Sequence, residues 1–195
     1  MDEQKLFNIA FRETETFLKV FSSPQRRGKG QTFLLLDIPD NPGAEDAVAE
    51  KLWSTIETAF YNHESDDPYF SFESSLKAAN QVLIQENQKR ASGSLGAFHA
   101  IAGLLQDHVL HFSHTGLAQV SLKRGNRITQ ISESPEEGTE GPFGAISSGE
   151  LHPLDLIILS TRSLPLHQPA FLEAFAEKGS KMFGSVKNLG KQKDF

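Results

Sequence analysis

The side chains in this sequence that could do chemistry are its acids, a few histidines and one short basic run. His108, His111 and His114 invite a zinc reading. In an extended strand, however, alternate side chains face opposite ways, so His111 points away from the other two. His108 and His114 would stand about 20 Å apart at strand rise. They are expected to be structural or surface histidines. Asp37 closes the apolar run Phe33-Leu34-Leu35-Leu36. It is either a single carboxylate open to a cation or a polar residue that ends a strand and shapes the turn to Asn41. Glu133, Glu136, Glu137, Glu140 and Glu150 add carboxylates, most simply as an acidic solvated loop. Arg26-Arg27-Gly28-Lys29-Gly30 could meet a phosphate or an acidic partner, but its glycines fit no known phosphate-cradling loop, and a solvated turn is expected. No Gly-x-Ser-x-Gly elbow is present, so nothing specific supports a serine hydrolase.

Composition narrows the field further. A chain of 195 residues suits one sizeable domain, and 38% hydrophobic with 23% charged residues is a globular balance. A net charge of −6 argues against a general nucleic-acid binder. Without cysteine there is no disulfide, no thiol catalysis and no Cys-ligated metal. No apolar run reaches the roughly 18–20 residues of a membrane span. Met1-Asp2-Glu3-Gln4-Lys5 lacks the features of a signal peptide, so a cytoplasmic location is expected.

The elements that must position these groups follow from periodicity. Leu6–Arg12 and Glu15–Phe21 alternate apolar and polar residues as strands do, and Thr32–Ile38 is apolar throughout, as in a strand covered on both faces. Asp40-Asn41-Pro42 and Asp66-Asp67-Pro68 each offer a cap followed by proline, starting two helices. Val48, Leu52, Ile56 and Phe60 form the apolar stripe of the first, and Phe72, Leu76, Ala79 and Leu83 that of the second. Gly96–Leu105, Val109–His114, Ala118–Lys123 and Arg127–Ser132 then read as an antiparallel meander. Ser134–Pro142 is an acidic loop and Asp155–Ser160 a further strand. Pro165 and Pro169 restart a helix through Phe171, Leu172, Phe175 and Ala176, and Gly179 ends it. Residues 181–195 form a basic tail, or a linker into further chain.

This order of elements, collinear from Phe7 to Leu164, resembles the metal-dependent serine/threonine protein phosphatases of the PPM (type 2C) family. Asp37-Ile38 matches the family's metal-binding Asp-Gly, and Ala78-Ala79-Asn80 resembles its Ala-Asn pair. Gly96 falls at the glycine of Gly-Thr-Thr, and Thr115-Gly116-Leu117 at Gly-Asp-Ser. The stretch from Leu154-Asp155 to Ser160-Thr161-Arg162-Ser163-Leu164 matches Gly-Asp-x-x-x-Leu-x-Ser-Asp-Gly-Leu. Two acids are replaced in this correspondence, by Gly116 and by Arg162. Ser22-Ser23-Pro24-Gln25 lies near the family's Asn-Glu-Asp.

The resemblance implies an α+β fold over residues 1–180, a four-layer α-β-β-α sandwich with two mainly antiparallel sheets flanked by helices. It also implies a vestigial site at Asp37, Gly116 and Arg162, with only Asp37 kept as a ligand position. Asp155 corresponds to a turn-forming acid and not to a ligand. One carboxylate does not hold two hydrated divalent cations. The expectation is therefore a degenerate member: a pseudophosphatase with no catalytic residue and no resident metal, acting through a protein partner such as a kinase or a phosphoprotein. The alternative is a divergent phosphatase using Mn²⁺ or Mg²⁺, and a third possibility is a small-molecule sensor in the vestigial cleft. Arg162 either pairs with Asp37, if the family's site geometry is kept, or lies on a surface loop.

Overall fold

A computed structural model of the chain describes residues 8–11, 18–24, 28–39, 45–89, 95–133 and 141–163. Nine strands and two helices lie within them: β1 (Asn8–Phe11), β2 (Leu18–Ser22), β3 (Gln31–Asp37), α1 (Glu45–Tyr61), α2 (Pro68–Gln88), β4 (His99–Gln106), β5 (Val109–Thr115), β6 (Gln119–Arg124), β7 (Arg127–Gln130), β8 (Ser147–Glu150) and β9 (Leu156–Ser160). One sheet has the order β2-β3-β4-β5-β8 and the other β1-β9-β6-β7. All pairings are antiparallel except β1 with β9.

The apolar run of β3 is continuous because both its faces are covered. Leu34 and Leu36 join Ala100, Ala102 and Leu104 of β4 beneath the helices, where the stripes Val48, Leu52, Ile56, Phe60 and Phe72, Leu76, Ala79, Leu83 are all buried. Phe33 and Leu35 point the other way, into a second core with Ile101, Leu110, Phe112, Val120, Ile157 and Leu159 between the two sheets. The period of two along a strand thus sorts one sequence into two cores. Gly103 belongs to this pattern: a Cβ there would lie 2.0 Å from the Phe33 ring, so the ring takes the place of a side chain. The result is an α+β sandwich of helices on one sheet, with the second sheet packed beneath. The helix expected after Pro165 and the tail at 181–195 lie outside the described residues.

Helix α2 starts as its sequence signal demands. Asp67 Oδ1 accepts hydrogen bonds from Tyr69 N (2.9 Å) and Phe70 N (3.5 Å), with Pro68 in the first turn. Helix α1 begins at Glu45, and the start signal at residues 40–44 lies outside the described residues. The helices are tied side by side by Glu86, whose Oε1 accepts from both Lys51 Nζ and Lys89 Nζ at 2.8 Å. Hydrogen bonds from these two ammonium groups bring the Glu86 pKa down to about 2.

The expected meander is corrected in one respect. β4 and β5 form a hairpin in one sheet and β6 and β7 in the other, so the turn at Thr115-Gly116 crosses between sheets instead of joining neighbours. Alternation reports that a segment is a strand but not which strand it pairs with. The far edge of β5 is taken by β8, whose Ser-Ser-Gly-Glu sequence carries no apolar alternation and gave no strand signal. Strand β7 stops at Gln130, short of the expected Ser132. Beyond it both Ile131 N (2.8 Å) and Ser132 N (3.1 Å) donate to Val120 O, two residues facing one as in a bulge.

Candidate functional site

Three strand ends, those of β3, β5 and β9, meet at one edge of the sandwich. Asp37 is the last residue of β3, and odd positions of β3 face the second sheet, so its carboxylate is directed between the sheets. It is 1% exposed. Antiparallel pairing of β3 with β4 sets His99 directly across from Asp37. From the other sheet, the residues following β9 bring Thr161 and Arg162. Thr161 Oγ1 donates to Asp37 Oδ2 at 3.2 Å, and Arg162 Nε lies 3.8 Å from the same oxygen. Asp37 Oδ1 is buried and has no hydrogen-bond partner among the described residues. Ser160 shapes the turn that delivers Arg162: its hydroxyl donates to Arg162 O (2.6 Å) and accepts from Arg162 N (3.2 Å).

The third corner is Gly116, with φ +68°. A Cβ on it would fall 2.2 Å from His99 Nδ1 and 2.4 Å from Phe98 O. The second of these is backbone, which cannot swing aside. His99 Nδ1 also accepts the Leu117 backbone N–H at 3.1 Å. The β5–β6 turn has closed onto the start of β4, and the position where a carboxylate would project is filled by the imidazole. Asp37, Gly116 and Arg162, singled out from sequence, are thus brought to one place. His99 and Thr161 were assigned no part in it. His99 could have been found only from the β3–β4 register, which two intervening helices hide.

The remaining candidates disperse. His108 Nε2 lies 3.5 Å from Glu150 Oε1 at the opposite end of β5. His111 meets Ser148 Oγ at 2.7 Å and the Tyr69 ring at a centroid distance of 5.5 Å on the helix side. His114 turns to the other face, tilted against Phe112. Burial pushes the pKa of both His111 and His114 down. Glu150 pairs in register with Val109, roughly 20 Å along the strands from Asp37. Glu133 is an exposed residue beyond β7, and Glu136, Glu137 and Glu140 lie outside the described residues. Lys29 is no free phosphate ligand: its Nζ donates to Tyr61 O (3.3 Å) and His63 O (3.1 Å) at the end of α1, where a cation complements exposed carbonyls. Arg26 and Arg27 lie outside the described residues.

Two further matches from sequence have structural explanations. Asn80 of α2 clamps the backbone of Phe143, donating from Nδ2 to its carbonyl (3.1 Å) and accepting its N–H on Oδ1 (3.0 Å). Asp155 accepts Arg124 Nε on Oδ1 (3.0 Å), and Arg124 Nη2 (2.6 Å) and His152 N (2.7 Å) on Oδ2. It shapes the turn into β9, as its place in the motif implies. The adjacent Leu154, where that motif has glycine, has φ +72° and is 90% exposed.

Comparison with solved structures agrees with this architecture. PppA of Pseudomonas aeruginosa, described as a key regulatory component of T6SS, superposes with a TM-score of 0.52 over 72% of this chain and 74% of its own, at 11% identity. The fold is that of the PP2C-type phosphatases. The serine/threonine protein phosphatase PstP, in complex with 2 manganese ions, gives a TM-score of 0.49 at 13% identity, over 71% of this chain and 74% of that one. The PP2C domain and regulatory fragment of Bacillus subtilis SpoIIE gives 0.49 at 14% identity, covering 72% of this chain and 39% of that one. No protein-family model and no curated protein sequence matches the chain. Among the described residues, no helix is long and apolar enough to cross a membrane.

The PP2C-like fold implies divalent cations between the sheets, and the described residues at this corner do not make up the ligand set of a two-metal centre. Such a centre needs several carboxylates bridging two ions. Among the described residues a single carboxylate stands here beside a guanidinium, with an imidazole across from it and a glycine that offers no donor. Among the described residues no three His, Asp or Glu side chains come together as a ligand set.

Proposed function

We propose that this PP2C-like domain is a pseudophosphatase, a cytoplasmic regulatory module that binds a protein partner and does not hydrolyse phosphoesters. The observation that carries the reading is the closure at Gly116. A missing acid on an open turn could be replaced by a water or a neighbouring carboxylate. A turn whose Cβ position is blocked by Phe98 O and His99 Nδ1 leaves no room for a metal ligand. Arg162 beside Asp37 adds a fixed positive charge where a cation would sit, and metal binding requires negative charge there. The partner class that suits a phosphatase scaffold without its chemistry is a kinase or a phosphoprotein.

One observation favours a second reading, a divergent phosphatase working with a single Mn²⁺ or Mg²⁺: the buried Asp37 Oδ1, which has no hydrogen-bond partner among the described residues. Calorimetric titration of Mn²⁺ and Mg²⁺, with an aryl phosphate assay on the same sample, separates the two. The pseudophosphatase reading expects neither heat of binding nor turnover. Saturable binding with metal-dependent hydrolysis overturns it in favour of the second.

A further inference from the structure

We propose that the Arg162 guanidinium serves as the built-in cation of this corner, holding the end of β3 against the end of β9 in place of a metal. No backbone ladder joins these two ends. β3 pairs with β2 and β4, whereas β9 pairs with β1 and β6. At this edge the two sheets are linked across Asp37 by side chains, the Thr161 hydroxyl and the Arg162 guanidinium. The Asp37 carboxylate is 1% exposed, and an ionised carboxylate removed from water needs a compensating charge or a full set of hydrogen bonds. It lacks the full set, because Oδ1 has no hydrogen-bond partner among the described residues. The compensating charge is therefore Arg162, whose side chain is 48% exposed and reaches the carboxylate from the solvent side. The anchor that positions it is local: Ser160 Oγ holds both the carbonyl and the amide of Arg162. An arginine merely resting on the surface would need neither this turn nor a buried acid at its Nε.

The proposal rests on the pseudophosphatase reading and deepens it, because it names what replaced the metal. Its consequence is specific. Removing Arg162 should leave a buried anion seeking a cation, so the variant should gain a response to divalent ions that the parent chain lacks. Thermal unfolding of the full chain tests this with Arg162→Ala, Arg162→Lys, Asp37→Asn and the double variant Asp37→Asn/Arg162→Ala, each with and without MnCl₂. Arg162→Ala is expected to lower Tm by roughly 5 °C or more. Arg162→Lys should lose less, since the charge remains. Adding Asp37→Asn to Arg162→Ala should recover at least half of the loss, the non-additivity that marks a coupled pair. Mn²⁺ should raise the Tm of Arg162→Ala and leave the double variant unchanged. Additive single effects, or an Arg162→Ala variant indifferent to Mn²⁺, overturn the proposal. Should Arg162→Ala fail to fold, folding of the double variant supports it, and failure of that variant as well overturns it. Mn²⁺ binding with turnover in the parent chain would sink the pseudophosphatase reading instead, a result read independently of the variants.

Discussion

The two ends of β9 each carry an aspartate beside an arginine, and the two pairs differ in kind. At the entry, Asp155 has both oxygens occupied, by a two-pronged Arg124 and by the His152 amide. Arg124 Nη2 also donates to Glu150 O at 3.1 Å, so this pair bridges the second sheet to β8 of the first. At the exit, Asp37 has one oxygen shared by Thr161 and a more distant Arg162, and one oxygen with no hydrogen-bond partner among the described residues. A carboxylate built into a turn is saturated with donors. The Asp37 carboxylate keeps one oxygen without a hydrogen-bond partner among the described residues, and that contrast separates the two acids more sharply than burial does, since both are buried.

The comparison breaks first at Asp155. Asp155→Ala removes a buried carboxylate that satisfies His152 N and Arg124 together, and should cost about 3 kcal/mol in urea unfolding at pH 7. The loss should depend on pH in a defined direction. The Arg124 hydrogen bonds hold the Asp155 pKa below its ordinary value of 3.8. A depressed carboxylate pKa contributes stability that is complete above the unfolded value and vanishes as pH falls through the folded one. Parent and variant stabilities should therefore converge only in acid, below about pH 4. A difference between them that is flat from pH 7 to pH 3 would show that the charge of Asp155 does not matter.

A somewhat smaller effect is expected at the exit corner. Gly116→Ala places a Cβ against Phe98 O at a positive φ, and should cost about 2 kcal/mol by the same measurement. Tolerance of alanine there would mean that the turn opens readily, and with it the argument that no ligand fits. The smallest effect tests the entry turn from the opposite side. Leu154 has φ +72° and is 90% exposed, so it contributes backbone strain and no burial. Leu154→Gly should raise stability by about 1 kcal/mol, read as a higher urea midpoint with an unchanged slope. A loss of stability would reveal a contact of Leu154 that its exposure does not suggest.

Much of the architecture was legible because burial imposes a period. The stripes from Val48 to Phe60 and from Phe72 to Leu83 name their helices, and the unbroken apolar run before Asp37 names a central strand. Asp67 and Pro68 mark a helix start within one residue. What stayed hidden depends on pairing. The allotment of β5 and β6 to different sheets, the polar edge strand β8 and the placement of His99 opposite Asp37 are all matters of register. Register is set by contacts between residues far apart in sequence, and no local pattern encodes it. The candidate site was half legible for the same reason. Gly116 and Arg162 can be read against a motif, whereas the imidazole beside Gly116 belongs to a strand paired across the sheet.

The crossing at Thr115–Leu117 also governs the order in which the chain can fold during synthesis. Because β9 lies between β1 and β6, the sheet that holds β1 cannot close until residue 160 has left the ribosome. The five-stranded sheet, by contrast, has four of its strands in place by Thr115. The helices and that sheet can therefore assemble first as a platform. The nascent β6–β7 hairpin must wait, with its apolar face exposed, for the last strand to arrive. A ribosome stalled just before β9 would leave the inter-sheet core without Ile157 and Leu159, and its remaining apolar residues open to water.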